Sequence, residues 1–173
     1  MVVEVTETNA NLLFQVGLAV ECPLESHLDI EIEAKLREMV KEFIARKDTS
    51  RAFLFSEGDR AVGFIAADLD DKWFPKGAKP HPELVGYGHV AKIGVIPEQG
   101  PECALLLIGA VEDWLKSRGT KGAWLDYLPY GGKKFGQTGY SRLGYAYSRM
   151  GYIDIDEFAD SRDRTRRIAV KHW

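Results

Sequence analysis

Residues 89–118, HVAKIGVIPEQGPECALLLIGAVEDWLKSR, place a strand, a tight turn and an amphipathic helix in one run, and this restricts the fold more than any other stretch. Val90, Ile93, Val95 and Ile96 follow no helical period and predict a buried strand. Pro97 ends it, because proline cannot donate to a sheet ladder. Beyond the turn, Ala104, Leu107, Ile108, Val111, Trp114 and Leu115 recur at three- and four-residue spacing and share one helix face. Gly119 stops that helix after Lys116 and Arg118, two cations suited to its negative end. A helix that opens from a short Gly-containing turn points free backbone N–H groups outward, which makes its start a ready anion site.

The rest of the chain must supply the partners of that unit. Its 173 residues predict a single domain, 1–173, long enough to bury a core. A formal net charge of −3 gives no global basic field for nucleic acid or membrane. No apolar run approaches the roughly 20 residues that span a bilayer, so no membrane partner is expected. Cys22 and Cys103 lie far apart and lack metal-ligand spacing; the expectations are a reduced cytoplasmic setting and no metal.

In order, residues 2–6 predict a first strand and Asn9 or Asn11 the cap of a short helix that contains Gly17. Asp29 is the predicted cap of a second helix, whose face is Ile32, Leu36, Met39, Val40 and Phe43 and which runs to about Arg46. Residues 51–56 and 61–69 form a predicted hairpin. Residues 70–86, with three prolines, read as a surface excursion. After the strand–turn–helix come a strand at 121–128, a Gly-rich basic loop at 129–137, a helix at 138–150, and strands at 152–155 and 166–172. A strand–helix–strand step in mid-chain implies one parallel pair. The expected class is therefore α/β (α+β): a mixed, mostly antiparallel central sheet flanked by helices.

Two motifs, taken together, resemble the GNAT superfamily of acyl-CoA-dependent N-acyltransferases. One is Val95-Ile96-Pro97 followed by Gln99-Gly100-Pro101-Glu102-Cys103-Ala104, similar to that family's cofactor turn. The other is Tyr145-Ala146-Tyr147-Ser148-Arg149-Met150-Gly151-Tyr152, similar to the run that closes its last helix. The likeness covers residues 51–173 well and the opening loosely. It implies acetyl-CoA as acyl donor and a primary amine as acceptor. It also implies that Gln99, Gly100, Pro101, Glu102, Cys103, Ala104 and Leu105 surround the cofactor's pyrophosphate, with the available backbone N–H groups as donors. Ile93, Gly94 and Val95 would pair with the pantetheine arm, with Tyr140 beside it. Tyr147 would protonate the leaving thiolate, since a phenol bonds sulfur and stays protonated at neutral pH.

The chain departs from the family pattern at Glu102, where glycine is usual, and at Tyr140, where asparagine is common. A carboxylate near a diphosphate repels it by about 1 kcal/mol or more. Gly100-Pro101-Glu102 also reads as an ordinary helix start, with glycine at the cap, proline first and glutamate in the first turn. For the base or water relay, His89 and Asp126 are the candidates, with His81 and Glu83 behind them. Residues 130–152 interleave Lys133, Lys134, Arg142 and Arg149 with six aromatic residues. Such a segment can contact cofactor, acceptor, nucleic acid or protein, or simply bury its aromatic face. Two functions follow: an acetyl-CoA-dependent N-acetyltransferase, or a catalytically weak GNAT-shaped protein that binds nucleic acid or protein through 130–152. A homodimer formed by strand pairing is compatible with either.

Overall fold

The computed structural model describes residues 1–21, 30–69, 74–96, 98–129 and 142–173. Among them the elements are β1 (Val2–Glu4), α1 (Ala10–Glu21), α2 (Ile30–Ala45), β2 (Ser50–Glu57), β3 (Arg60–Asp68), β4 (Gly88–Val95), α3 (Pro101–Ser117), β5 (Gly122–Tyr127), α4 (Arg142–Arg149), β6 (Ile153–Ala159) and β7 (Thr165–His172). The strands form one sheet in the order β1-β2-β3-β4-β5-β7-β6. The β4–β5 pair is parallel, and β1–β2, β2–β3, β5–β7 and β6–β7 are antiparallel. The fold is thus mixed α/β, with the expected parallel step at the strand–turn–helix unit. Two compact units divide the chain, 1–68 with 92–111, and 69–91 with 112–173, so β4 and α3 contribute to both.

In the first unit, β2 and β3 turn through Gly58, whose φ of 59° suits glycine. Adding a Cβ to Gly63 would bring it 2.8 Å from Cys103 Sγ and 3.1 Å from Leu107 on α3. The next residue, Phe64, faces the other way, since neighbouring residues of a strand point to opposite faces. Its ring lies where a Cβ on Gly94 would be 2.5 Å away, beside Val20 of α1. Helices therefore cover both faces of this half-sheet. Gly17 inside α1 lets α1 approach α2: a Cβ there would sit 3.1 Å from Leu36. Asn9 precedes α1, but its side chain turns away from the helix, accepting from the Thr6 N–H and donating to the Glu4 carbonyl. The predicted cap Asp29 lies outside the described residues.

In the second unit, α3 ends with Gly119 at φ 76°. The Thr120 N–H reaches the Leu115 carbonyl and the Gly119 N–H the Lys116 carbonyl, a glycine-dependent helix stop. Residues 74–86 are not wholly on the surface, as the sequence suggested. Leu84 is buried with Tyr87, Trp124, Phe158, Ile168 and Val170, and Phe74 packs against that cluster. β6 also runs beyond the predicted 152–155, to Ala159, across a bulge between Asp154 and Asp156. Its acidic, exposed character hid it from hydrophobic periodicity. The tightest backbone approach in this unit is at Gly122. A Cβ there would fall 2.1 Å from the Lys171 carbonyl oxygen and 2.5 Å from the Tyr87 ring. Because a backbone atom in the β5–β7 ladder cannot swing aside, Gly122→Ala should cost about 1–3 kcal/mol, read as a lower urea midpoint.

Candidate active site

The residues of the expected cofactor turn that the structure describes lie in the first unit. The Ile96 N–H donates to the Val62 carbonyl, and the Gln99 N–H closes the turn on Ile96. Gln99 also donates its side-chain amide to Glu57 at 3.0 Å. α3 begins at Pro101, so the N–H groups left without an intrahelical acceptor are those of Gly100, Glu102 and Cys103. The donor set is thus smaller than the sequence suggested: Gln99 already has an acceptor, and Ala104 and Leu105 bond within the helix. The Glu102 carboxylate folds back over the turn, where a Cβ on Gly100 would meet Oε2 at 2.4 Å. Cys103 is buried, and its thiol is pushed up to about 11, chiefly by burial and next by the charge of Glu57. Ile93 and Val95 are half-buried. Gly94 is required by the Phe64 ring and Val20, a packing reason the sequence did not offer. Pro97 and Tyr140 lie outside the described residues, as do Tyr130, Lys133, Lys134 and Phe135.

The second unit brings His89 and Asp126 together. The parallel ladder pairs Gly88 with Ala123 and His89 with Trp124. The His89 imidazole stacks on the Trp124 ring at 4.0 Å and 17°, and only 5% of the residue is exposed. Its Nε2 lies 4.0 Å from Asp126 Oδ1, and neither ring nitrogen has a hydrogen-bond partner among the described residues. Burial pushes the His89 pKa down to about 3, so the ring is neutral at physiological pH. The nearby carboxylate does not reverse this, because Arg166 already balances it. Arg166 Nε donates to Asp126 Oδ2 at 2.6 Å, and Nη2 donates to the Asp126 carbonyl at 3.3 Å.

Arg166 was not among the candidates, although a signal existed. Ile168 pairs with Asp126 and Val170 with Trp124 across the β5–β7 ladder. Residues 166, 168 and 170 share one face, so a cation at 166 is aimed toward that carboxylate.

Tyr147, on α4, is 4% exposed. Its ring meets Tyr127 at 5.4 Å and Tyr152 at 5.7 Å, both edge to face. Burial first, and the Asp126 charge second, raise its pKa above the ordinary tyrosine value. Both neighbours are tied to ion pairs. Tyr127 donates to Asp154 at 2.9 Å, and Asp154 pairs with Arg167 at 2.9 Å. Tyr152 lies under Lys171, which pairs with buried Glu112 at 2.6 Å. Glu112 was also missed, yet it stands four residues after Ile108, on the apolar face of α3. His81 sits between Glu83 at 2.6 Å and Asp156 at 3.1 Å; the Glu83 hydrogen bond leads in raising its pKa.

This arrangement can hold a proton on a buried phenol and offer a neutral imidazole beside a carboxylate. Among the described residues, no helix is long and apolar enough to cross a membrane.

No protein-family model and no curated protein matches the sequence. Solved structures do match it. The aminoglycoside 6'-N-acetyltransferase from Enterococcus faecium aligns with a TM-score of 0.69 at 16% identity, over 99% of this chain and 96% of that one. PaiA N-acetyltransferase from Thermoplasma acidophilum, solved with coenzyme A, aligns at 0.66 and 14%, over 100% and 98%. A GNAT-family acetyltransferase from Brucella melitensis, in complex with acetyl-CoA, aligns at 0.59 and 18%, over 100% and 87%. At such identities a likeness over the whole chain speaks for architecture, and the chain has the fold of the GNAT-family acetyltransferases.

Proposed function

We propose that the chain is an acetyl-CoA-dependent N-acetyltransferase, working as one domain over residues 1–173 in the cytoplasm. The acceptor's amine nitrogen, once deprotonated, attacks the acetyl carbonyl in a ternary complex. The new C–N bond forms, the C–S bond breaks, and Tyr147 gives the thiolate its proton. Before attack the ammonium loses one proton outward through a base or water relay at His89, neutral in its buried site, or Asp126, which Arg166 holds in position; the second proton, lost from the nitrogen after attack, restores the phenol. The N–H groups of Gly100, Glu102 and Cys103 would face the cofactor's pyrophosphate. The observation that carries this reading is Tyr147: a nearly buried phenol of raised pKa on the last helix, in a chain with the GNAT fold.

The acidic turn favours a second reading, a catalytically weak binding protein that uses residues 130–152. Glu102 lies over Gly100, and Glu57 takes the Gln99 amide, so two carboxylates attend the proposed pyrophosphate donors. Calorimetry with acetyl-CoA separates the two. The enzyme reading expects a Kd on the order of micromolar, and roughly three- to tenfold tighter binding by Glu102→Gln, which removes one repulsive charge. Absence of heat from both proteins would defeat it. Steeply salt-dependent binding of single-stranded nucleic acid, without affinity for acetyl-CoA, would put the binding protein first.

A further inference from the structure

His81 and Glu83, which the proposed chemistry does not use, form a bridge with Asp156 inside the second unit. His81 Nδ1 lies 2.6 Å from Glu83 Oε1, and Nε2 lies 3.1 Å from Asp156 Oδ2. An ionised carboxylate only accepts, and a neutral imidazole carries a single N–H. Both bonds are therefore made at once only by the imidazolium. Among the described residues, the charged groups facing the ring are Glu83 from its own segment and Asp156 from β6, with Lys79 acting on Asp156. The uncharged Phe74 ring lies 5.9 Å away.

The two bonds hold different things. Glu83 is two residues from His81, whereas Asp156 stands on β6, 75 residues away. Segment 74–86 packs Phe74, Ala78 and Leu84 against the core, while residues 75–83 are exposed or half-buried. Gly77, at φ 99°, lies against β6, where a Cβ on it would be 2.8 Å from the Ala159 carbonyl oxygen. Among the described residues, the hydrogen bond from 75–83 to β6 is the one to Asp156. When the ring loses a proton, the shorter Glu83 bond keeps the remaining N–H on Nδ1. The Nε2 lone pair then faces a carboxylate oxygen, and attraction turns to repulsion.

We propose that His81 is a pH-operated clasp: as the imidazolium it fastens residues 75–83 to β6, and as the neutral ring it lets them lift. The sign follows from the bonding, closed in acid and open in mild alkali. The hydrogen bonds to Glu83, first, and Asp156 move the change above the ordinary histidine value. The clasp covers the face of β5 that carries Trp124. The Phe74 ring meets Trp124 at 5.4 Å, and Trp124 stacks on His89 at 4.0 Å. It needs no acyl donor and stands apart from acetyl transfer.

The test is trypsin cleavage of the full chain after Lys76, an exposed residue of the segment, identified by fragment mass. Each rate is divided by that for a free peptide of residues 74–80, which removes the protease's own pH dependence. Cleavage of a native chain tracks its open population when closing is fast. From about pH 6 to about pH 9 the parent's ratio should rise at least about fivefold, because a charge-assisted hydrogen bond is lost. His81→Gln, which cannot titrate, should give a level ratio. Asp156→Asn keeps an oxygen for the Glu157 N–H and turns its own N–H toward His81, so the neutral ring accepts and the segment stays closed as pH rises. A level ratio in the parent, or a parent-like rise in either variant, would overturn the clasp. A neutral His81 ring in the parent at about pH 6, read from its nitrogen NMR shifts, would do the same. Because no acyl donor is present, neither result bears on the acetyltransferase reading.

Discussion

Replacing Tyr147 by phenylalanine should lower kcat for acetyl transfer by about 100- to 10,000-fold, the range expected when a positioned general acid is lost. Acetyl-CoA affinity should stay within about twofold, since phenylalanine keeps the ring and its edge-to-face contacts with Tyr127 and Tyr152. The measurement is thiol release over a panel of primary amines, beside calorimetry of each protein with acetyl-CoA. The pH profile adds a demand that packing alone would not make. Burial, and after it the Asp126 charge, raise the Tyr147 pKa above its ordinary value of 10. The phenol therefore stays protonated through alkaline assays, and kcat should show no fall assignable to this residue up to about pH 9.5. Unchanged turnover in the phenylalanine variant would remove Tyr147 from the chemistry. Matched losses of turnover and cofactor affinity would make it a packing residue instead.

What could be read from the chain, and what could not, divides by the range of the interaction. The α3 face was legible because Leu107, Ile108, Val111 and Leu115 recur at helical spacing, and all four are fully buried. The stop at Gly119 was legible because its chemistry is local. Arg166 and Glu112 were not singled out, because each acquires its meaning from a partner far along the chain. Arg166 reaches Asp126, 40 residues away, and Glu112 reaches Lys171, 59 residues away. Gly17 argues locally against α1, since glycine disfavours a helix interior; the approach to Leu36 outweighs that preference. Residues 70–86 were read as surface because prolines and charges dominate them, yet in the described part, 74–86, Phe74 and Leu84 pack in the core. Composition averages over residues, whereas packing depends on the one or two that point inward.

Stability should fall as the solution is acidified below pH 6.5, and His89 should account for most of the slope until the carboxylates begin to titrate. In the unfolded chain the imidazole takes a proton near 6.5, whereas the folded site holds it off until about 3. Between those values the unfolded state binds one more proton, so stability rises with pH at about 1.4 kcal/mol per unit. The opposite sign would require an imidazolium stabilised by Asp126. That arrangement is disfavoured, because Arg166 Nε already sits 2.6 Å from Asp126 Oδ2 whereas His89 Nε2 is 4.0 Å from Oδ1. His81 works the other way: its raised pKa contributes stability that is complete below 6.5 and fades as pH climbs through the folded value. The lowered carboxyl pKa values of Glu83, Asp156 and Asp160 also favour the folded state, a contribution that begins to be lost as pH falls below about 5. Urea unfolding at pH 6.5, 5.5 and 4.5 of the parent beside His89→Phe isolates His89, because His81 and the carboxylates are common to both proteins. Across those two units the parent should lose about 2–3 kcal/mol, and His89→Phe, which keeps a ring against Trp124 but cannot titrate, should lose far less. A parent whose stability is level over this range, or a variant with the parent's slope, would mean that the imidazole is hydrated or paired in the folded protein. The neutral His89 invoked for proton transfer would then have to be given up along with the stability argument.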